Sequence, residues 1–104
     1  MMEDTLELGG NINLEGFSDI DSSKMIVIKK MVGNYVKLFS EEAEDFKGLK
    51  LVRNDDTTDS GHTYGIKAIL ETNGSKLQAE VCDGNIFFCI DNALKEIENR
   101  YRNA

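Results

Sequence analysis

The sequence lacks several residue types that would point to a specific chemistry. Its 104 residues include no proline, no tryptophan, one histidine and two cysteines. The absence of proline argues against long extended linkers. The two cysteines, Cys82 and Cys89, are too few for a disulfide framework and are typical of a reducing cytosol. Because the length is near the commonest domain size, we predict one domain over residues 1–104 that needs no disulfide or metal.

Long apolar runs are also missing. No run of about 18 apolar residues is present, so we expect no transmembrane helix and no membrane partner. The start, Met1-Met2-Glu3-Asp4, lacks the basic and apolar regions of a secretory signal, and we expect a cytoplasmic protein. The net charge of −7 repels phosphate backbones at long range. Composition alone therefore argues against nucleic-acid binding and favours solubility or basic protein partners.

The first half of the chain predicts a strand and then a helix. Apolar and polar residues alternate over residues 5–15, and Gly9-Gly10 in the middle is either a bulge or a hairpin turn. We expect one bent strand, because the parity holds across the glycines. Residues 24–46 show helical spacing, with a break expected near Ser40, although the run from Ile26 to Ile28 also fits a strand. The apolar face of this helix holds Met25, Ile28, Met31, Val32, Tyr35, Val36 and Phe39.

The second half predicts three strands and a final helix. Gly48 is expected to stop the first helix, residues 49–53 to form a short strand, and the polar residues 54–61 to form a flexible loop. Strands over residues 63–72 and 75–82 flank Asn73-Gly74, which suits a type I′ hairpin turn. Asp83-Gly84-Asn85 caps a helix over residues 86–102. The order predicts an α+β fold, βαβββα, in which a four-stranded sheet carries two helices packed on one face.

Two ungapped segments, together 28 of the 104 residues, follow the pattern of a known family. Residues 6–14 read Leu-Glu-Leu-Gly-Gly-Asn-Ile-Asn-Leu, similar to the family's opening strand. In residues 73–91 an Asn-Gly hairpin leads through Ala79-Glu80 to the helix start Ile-Phe-Phe-Cys-Ile-Asp. There Ile90-Asp91 matches the family outright, and Phe87 takes the place of a tyrosine. In these segments the chain resembles the bacterial ribosome hibernation factor family, which includes the ribosome-associated inhibitor.

The resemblance carries expectations about both fold and function. It implies a double-stranded-RNA-binding-like βαβββα fold and binding to the small ribosomal subunit where messenger and transfer RNAs pass. The last helix departs from the family pattern, since Glu96 stands at the usual Lys place and Asn99 at the usual Arg place. The first helix does not align without gaps, so the family's rRNA-contacting basic residues do not transfer position by position.

Positive charges are concentrated on the two predicted helices. Residues 1–23 hold six acids and no base, whereas residues 24–39 hold four lysines and no acid. A helix with only positive charges can lie along a phosphate backbone despite the negative total. The last helix extends this surface if the two helices lie side by side; the alternative is a solvated helix face without a partner. The candidate RNA-binding residues are Lys29, Lys30, Lys37, Lys95, Arg100 and Arg102.

The remaining polar and aromatic candidates are better interpreted as structural residues. Phe88 points away from the apolar stripe of the last helix, and we expect it to pack in the first turn rather than stay exposed for stacking or protein contact. Cys82, Cys89 and His62 lack zinc-site spacing, so we expect buried free thiols and no metal. Carboxylate pairs such as Asp55-Asp56 are expected in water, not in a catalytic pocket.

The sequence shows no nucleophile–base set and no phosphate loop between a strand and a helix. We therefore predict a non-catalytic RNA- or ribosome-associated binding protein without a cofactor, whose partner is the small ribosomal subunit or structured RNA. The second hypothesis is a protein-interaction domain that uses an acidic surface or Phe88. A small enzyme is the third and least favoured hypothesis.

Overall fold

The computed structural model describes residues 5–7, 11–42, 45–58 and 61–103. The elements in this part of the chain are β1 (Thr5–Glu7), β2 (Ile12–Glu15), α1 (Ser22–Glu42), β3 (Phe46–Arg53), β4 (Asp56–Thr58), β5 (Gly61–Thr72), β6 (Ser75–Asp83) and α2 (Ile86–Arg102). None of the described helices is both long and apolar enough to cross a membrane.

Four strands form the body of the sheet, in the order β2-β3-β5-β6. Strand β2 runs parallel to β3, with α1 as the crossover between them, and β3, β5 and β6 form an antiparallel meander. The short strands β1 and β4 pair with β2 and with the start of β5. Helix α1 packs on β3 and α2 on β5 and β6. The predicted α+β fold, a four-stranded sheet in the order βαβββα, is confirmed.

The opening segment folds as a hairpin, so the prediction of one bent strand is wrong. Strands β1 and β2 are antiparallel, with Leu6 opposite Leu14. Residues paired across this ladder are both even-numbered or both odd-numbered, so their side chains share one face, as they would in one continuous strand. The alternation of apolar and polar residues therefore could not distinguish a hairpin from a single strand. Residues 8–10, which include Gly9-Gly10, lie outside the described residues.

Helix α1 begins after Asp21, which caps it. The Asp21 carboxylate accepts hydrogen bonds from the backbone N–H of Ser23 at 3.4 Å and from the Ser23 hydroxyl at 3.0 Å. The helical spacing of the apolar residues outweighs the β propensity of the following run, because it buries Ile28 while Ile26 and Val27 remain exposed. The helix that the spacing predicted is confirmed, and its start is settled.

Two predictions between α1 and β5 are wrong. The helix does not reach Phe46, which already belongs to β3, and Gly48 lies within that strand instead of stopping a helix. The polar segment predicted as a flexible loop contains β4, whose residues pair with the first residues of β5. Backbone hydrogen bonds of this kind need no apolar side chain, so hydropathy did not reveal the strand.

The end of the chain follows its local signals closely. Helix α2 spans Ile86–Arg102, and its N-cap is Asn85, whose Oδ1 accepts from the backbone N–H of Phe87 at 2.9 Å and of Phe88 at 3.2 Å. The hairpin between β5 and β6 is confirmed. Of its two turn residues, Asn73 and Gly74, only Gly74 has a positive φ, 113°, so the turn is not type I′.

Buried apolar side chains of the helices and of one sheet face meet in a single core. Each large side chain buried there contributes roughly 1.5–3 kcal/mol relative to its exposed state. The core leaves the outer surface of the helices and the opposite face of the sheet open to solvent. The largest fully buried side chains are Phe17, Phe39, Leu14, Ile28, Leu49, Leu51, Ile66, Leu70, Ile90, Leu94, Ile97 and Val32.

Candidate nucleic-acid interface

The two helices lie side by side, as the proposed basic surface requires. The Tyr35 hydroxyl of α1 donates a hydrogen bond to Asp91 Oδ1 of α2 at 3.3 Å. Further along, Arg102 Nη2 donates to Glu42 Oε1 at 2.6 Å. In both helices the second contact lies nearer the C-terminus than the first, so α1 and α2 run in the same direction.

The three predicted cations of α2 each have a carboxylate partner. Each cation pairs with a carboxylate one helical turn earlier on α2. The pairs are Lys95 with Asp91 at 2.9 Å, Arg100 with Glu96 at 3.2 Å, and Arg102 with Glu98 at 3.0 Å. Arg102 also pairs with Glu42, whose hydrogen bond raises the pKa of the guanidinium. Exposed pairs of this kind stabilise little, but they neutralise the local charge.

The sequence departure at Glu96 takes part in this neutralisation. Its carboxylate pairs with Arg100, whose Nη1 also donates to the backbone oxygen of Gln78 on β6 at 2.7 Å. Arg100 is therefore tied to the edge of the sheet and to its own helix. The surface of α2 offers a partner little net positive charge.

The lysines of α1 differ from the cations of α2. All four are exposed, and no ion pair joins any of them to a carboxylate in the ranges that the structure describes. Glu41 follows Lys37 by four residues, but this order of charges is the weaker one on a helix, and the two do not pair. The unpaired lysines are Lys24, Lys29, Lys30 and Lys37.

Helical geometry places two of these lysines on one outward stripe. At 100° per residue, Lys30 and Lys37 differ by about 20° around the helix, while Lys29 lies about 100° from Lys30. Ile26 and Gly33 fall on the same side as Lys30, and both are exposed. The structure thus brings Lys30 and Lys37 together, with Lys29 on the flank. We call this stripe, Ile26, Lys30, Gly33 and Lys37, the outer face of α1.

Three large apolar side chains are exposed among the described residues, and all three belong to the helices. They are Ile26, 68% exposed, Val27, 46%, and Phe88, 63%. The expectation that Phe88 packs in the first turn of α2 is wrong. Its backbone N–H is held by the Asn85 cap, and its position on α2 lies opposite the buried stripe, so the ring faces solvent.

A cluster that sequence reasoning missed joins Arg53 at the end of β3 to Asp55. The Asp55 side chain is 15% exposed, which corrects the expectation of a solvated carboxylate. Its Oδ2 accepts from Arg53 Nη2 at 2.6 Å and Nε at 2.9 Å and lies 2.8 Å from His62 Nε2. The Arg53 guanidinium also lies 5.4 Å from the centre of the Tyr64 ring, and its Nη1 is 2.6 Å from Asp19 Oδ1.

Opposing effects act on the pKa of Asp55. Desolvation by itself raises the pKa, but hydrogen bonds from Arg53 and His62 stabilise the ionised form and leave the pKa below its ordinary value. Arg53 donates its hydrogen bonds to Asp55, Asp19 and the Gly16 carbonyl. The cluster therefore stabilises the bend after β3 instead of offering a cation to a ligand. In the described ranges, no three His, Cys, Asp or Glu side chains group as metal ligands would.

The two cysteines lie in different environments. Cys89 is buried, and its Sγ is 3.0 Å from Val81 O and 3.3 Å from Tyr64 O. Burial raises the pKa of this thiol to about 11. Cys82 is exposed, so the prediction of two buried thiols is wrong for it. It sits on β6 at the parity opposite that of the core-facing Ala79.

No model of a known protein family matches the chain, and no curated protein is significantly similar to it. The resemblance to ribosome hibernation factors stays a prediction that rests on residues 6–14 and 73–91.

Proposed function

We propose that the chain is a non-catalytic binding domain that contacts structured RNA, such as that of the small ribosomal subunit, through the outer face of α1. One observation carries the proposal: Lys30 and Lys37 point outward together without carboxylate partners, whereas every cation of α2 is already paired. Only α1 therefore has positive charge available to a polyanion on the helical layer.

The charge balance sets the strength of such a contact. The net charge of −7 opposes a phosphate backbone at a distance, so binding depends on the local charge of α1 at close range. Each neutralised phosphate adds about 0.7–0.9 to the slope of log affinity against log salt. Two to four lysine contacts therefore predict a slope between about −1.4 and −3.6. We expect modest affinity that is lost as salt rises.

Cosedimentation with small ribosomal subunits at low and high salt tests the proposal. We expect the chain to sediment with subunits at low salt and to be released at high salt. Lys30→Glu with Lys37→Glu should weaken binding at least tenfold without loss of fold, because both side chains are exposed. No binding at low salt, or unchanged binding of this variant, overturns the proposal.

A matched control separates local from global electrostatics. Lys95→Glu with Arg100→Glu changes the net charge by the same amount but affects residues that already have carboxylate partners. We expect it to weaken binding by no more than two- to threefold. An equal loss in both double variants would show that only the total charge matters, which contradicts a defined surface on α1.

A second candidate function, contact with a protein, is supported by the exposed side chains of Ile26, Val27 and Phe88. Apolar and aromatic anchors of this kind dominate protein interfaces. Phe88→Ser, on α2, should then weaken binding to whole subunits while leaving the affinity for a naked RNA duplex unchanged. The lysine variant of α1 should weaken binding to both.

A further inference from the structure

The sheet face that points away from the helices carries a depression of about 330 Å³. Its walls come from β2, β3, β5, β6 and the residues just before β2 and in the β3 bulge. This sheet depression lies on the opposite side of the sheet from α1, so nothing in the proposed RNA contact involves it. The side chains that matter for its chemistry are Asn11, Asn13, Lys47, Lys50, Ile69 and Lys76.

A glycine and a bulge open the depression. The register of β3 against β5 shifts between Phe46 and Gly48. Gly48 has no side chain to fill the space, and a Cβ there would lie 3.0 Å from the backbone oxygen of Asn11. That oxygen accepts a hydrogen bond from the Leu49 N–H at 3.0 Å, which fixes β2 close to β3. The concave shape is therefore set by backbone geometry.

Positive charge predominates at the rim, where Lys47, Lys50 and Lys76 are the rim lysines. In the part of the chain that the structure describes, Lys47 and Lys76 have no ion-pair partner, and Lys50 Nζ is 4.0 Å from Glu15 Oε1. The lining contains one carboxylate, Glu71, which lies opposite Lys76 in the register. Three cations against one lining carboxylate make this a locally positive surface on an acidic chain.

The floor and one wall supply the other contacts that a ligand would need. Ile69 is half-buried and gives the depression an apolar floor. Asn11 and Asn13 carry amide side chains without hydrogen-bond partners among the described residues, so both can donate and accept. Cations, a small apolar surface and amide groups together suit a phosphate joined to a ring with polar edges.

We propose that the sheet depression binds a single nucleotide unit, with the phosphate at the rim lysines, the base over Ile69 and the base edge at Asn11 and Asn13. The volume is at the lower end of the range of small-ligand sites, which fits one nucleotide and not a duplex. A free mononucleotide and one unit of a single-stranded RNA present the same chemistry. The domain then has two anion-binding faces on opposite sides of its sheet.

Amide NMR spectra of the full chain test this with four probes: inorganic phosphate, adenosine, adenosine monophosphate and a six-nucleotide single-stranded RNA. We expect adenosine monophosphate to shift the amides of Gly48, Lys50 and Ile69, and to leave those of α1 in place. Adenosine without phosphate should bind at least tenfold more weakly. Tighter binding of the oligonucleotide identifies an RNA strand as the ligand, and equal affinity identifies the free nucleotide.

Charge reversal separates this site from α1. Lys47→Glu with Lys76→Glu should weaken nucleotide binding at least tenfold and leave subunit binding unchanged. Lys30→Glu with Lys37→Glu should have the opposite effect, so the two proposals fail independently. Thermal unfolding of both variants checks that the fold is intact.

Three results would overturn the nucleotide site. One is the absence of shifts around Gly48 with adenosine monophosphate and with the oligonucleotide. Another is inorganic phosphate binding as tightly as adenosine monophosphate, which would leave no role for Ile69. The third is full nucleotide binding by the Lys47→Glu, Lys76→Glu variant.

Discussion

Arg53 binds one oxygen of Asp55 with two nitrogens, Nη2 at 2.6 Å and Nε at 2.9 Å. The two side chains are only 11% and 15% exposed. Removal of Asp55 would leave the largely buried Arg53 guanidinium with only the exposed Asp19 as a counter-charge, and a desolvated charge depends strongly on its buried partner. The bend that connects β3 to β4 therefore depends on an ion pair between residues two positions apart.

Asp55→Asn should lower the free energy of unfolding by about 1–3 kcal/mol at neutral pH, since Arg53 keeps its burial and loses the less exposed of its two counter-charges. The pKa of Asp55 is lowered in the folded chain by Arg53 and His62, against the opposing effect of desolvation. Its contribution to stability is thus present above the ordinary carboxyl pKa and is lost as pH falls through the lower folded value. Urea denaturation from neutral pH to about pH 3 measures both effects.

Asp19→Asn is the matched control for that variant. Asp19 contacts the same guanidinium, with Nη1 at 2.6 Å, but its side chain is 71% exposed. Water replaces an exposed partner, so we expect a loss below about 1 kcal/mol. Equal losses in the two variants, or an unchanged acid sensitivity of Asp55→Asn, would argue against the buried pair.

The hydrogen bond from Tyr35 to Asp91 links the two helices, and it should be lost only at alkaline pH. Desolvation, together with the nearby charge of Asp91 and a hydrogen bond to it, raises the pKa of Tyr35 to about 12. A raised pKa stabilises the protonated phenol, so its contribution is present below the ordinary tyrosine pKa and is lost as pH rises through about 12. Tyr35→Phe should cost about 0.5–1.5 kcal/mol and remove the phenol that ionises near that pH. Absorbance titration of the tyrosines would contradict this if the late phase persisted in the variant.

Two glycines should respond in opposite directions to alanine. A Cβ at Gly65 would overlap the backbone oxygen of Asn54, whose N–H donates to Gly65 O at 2.7 Å, so Gly65→Ala must move β3 or β5. We expect a loss of about 1–3 kcal/mol. Gly33 is exposed on α1 with nothing within 4 Å of its Cβ position, and Gly33→Ala should stabilise by about 0.5–1 kcal/mol. Thermal unfolding of the Gly65→Ala and Gly33→Ala variants tests both expectations. Destabilisation by Gly33→Ala would contradict the open space at this position of the helix.

The parts of the fold that the sequence predicted are those with local signals. The apolar spacing of α1 and α2, the cap at Asn85 and the hairpin at Gly74 each depend on residues close together in the chain. The hairpin of β1 with β2 and the short β4 depend on backbone pairing, which side-chain pattern does not encode. The burial of Asp55 depends on the bend after β3, which only the folded chain defines.

The features of the candidate site also separate into those that depend on local sequence spacing and those that depend on residues far apart in the chain. The helical pairs on α2, such as Asp91 with Lys95, are four residues apart, so their spacing alone could have indicated neutralised charge, although the sequence analysis assigned these cations to an RNA surface. The contact of Arg102 with Glu42 joins residues 60 positions apart and was not. The sheet depression was equally hidden, because Lys47, Lys50 and Lys76 come together only when β3, β5 and β6 are in register.

The two thiols should differ sharply in reactivity. Cys82 is exposed, whereas burial encloses Cys89 and raises the pKa of its thiol to about 11, so little reactive thiolate forms there near neutral pH. In the native chain an aromatic disulfide reagent should therefore modify one thiol quickly, and the second should react only on unfolding. Cys82→Ser should abolish the fast phase and leave the slow one. Two thiols reacting at equal rates in the native chain would show that Cys89 is not enclosed by β5, β6 and α2, and the packing of α2 described above would be wrong.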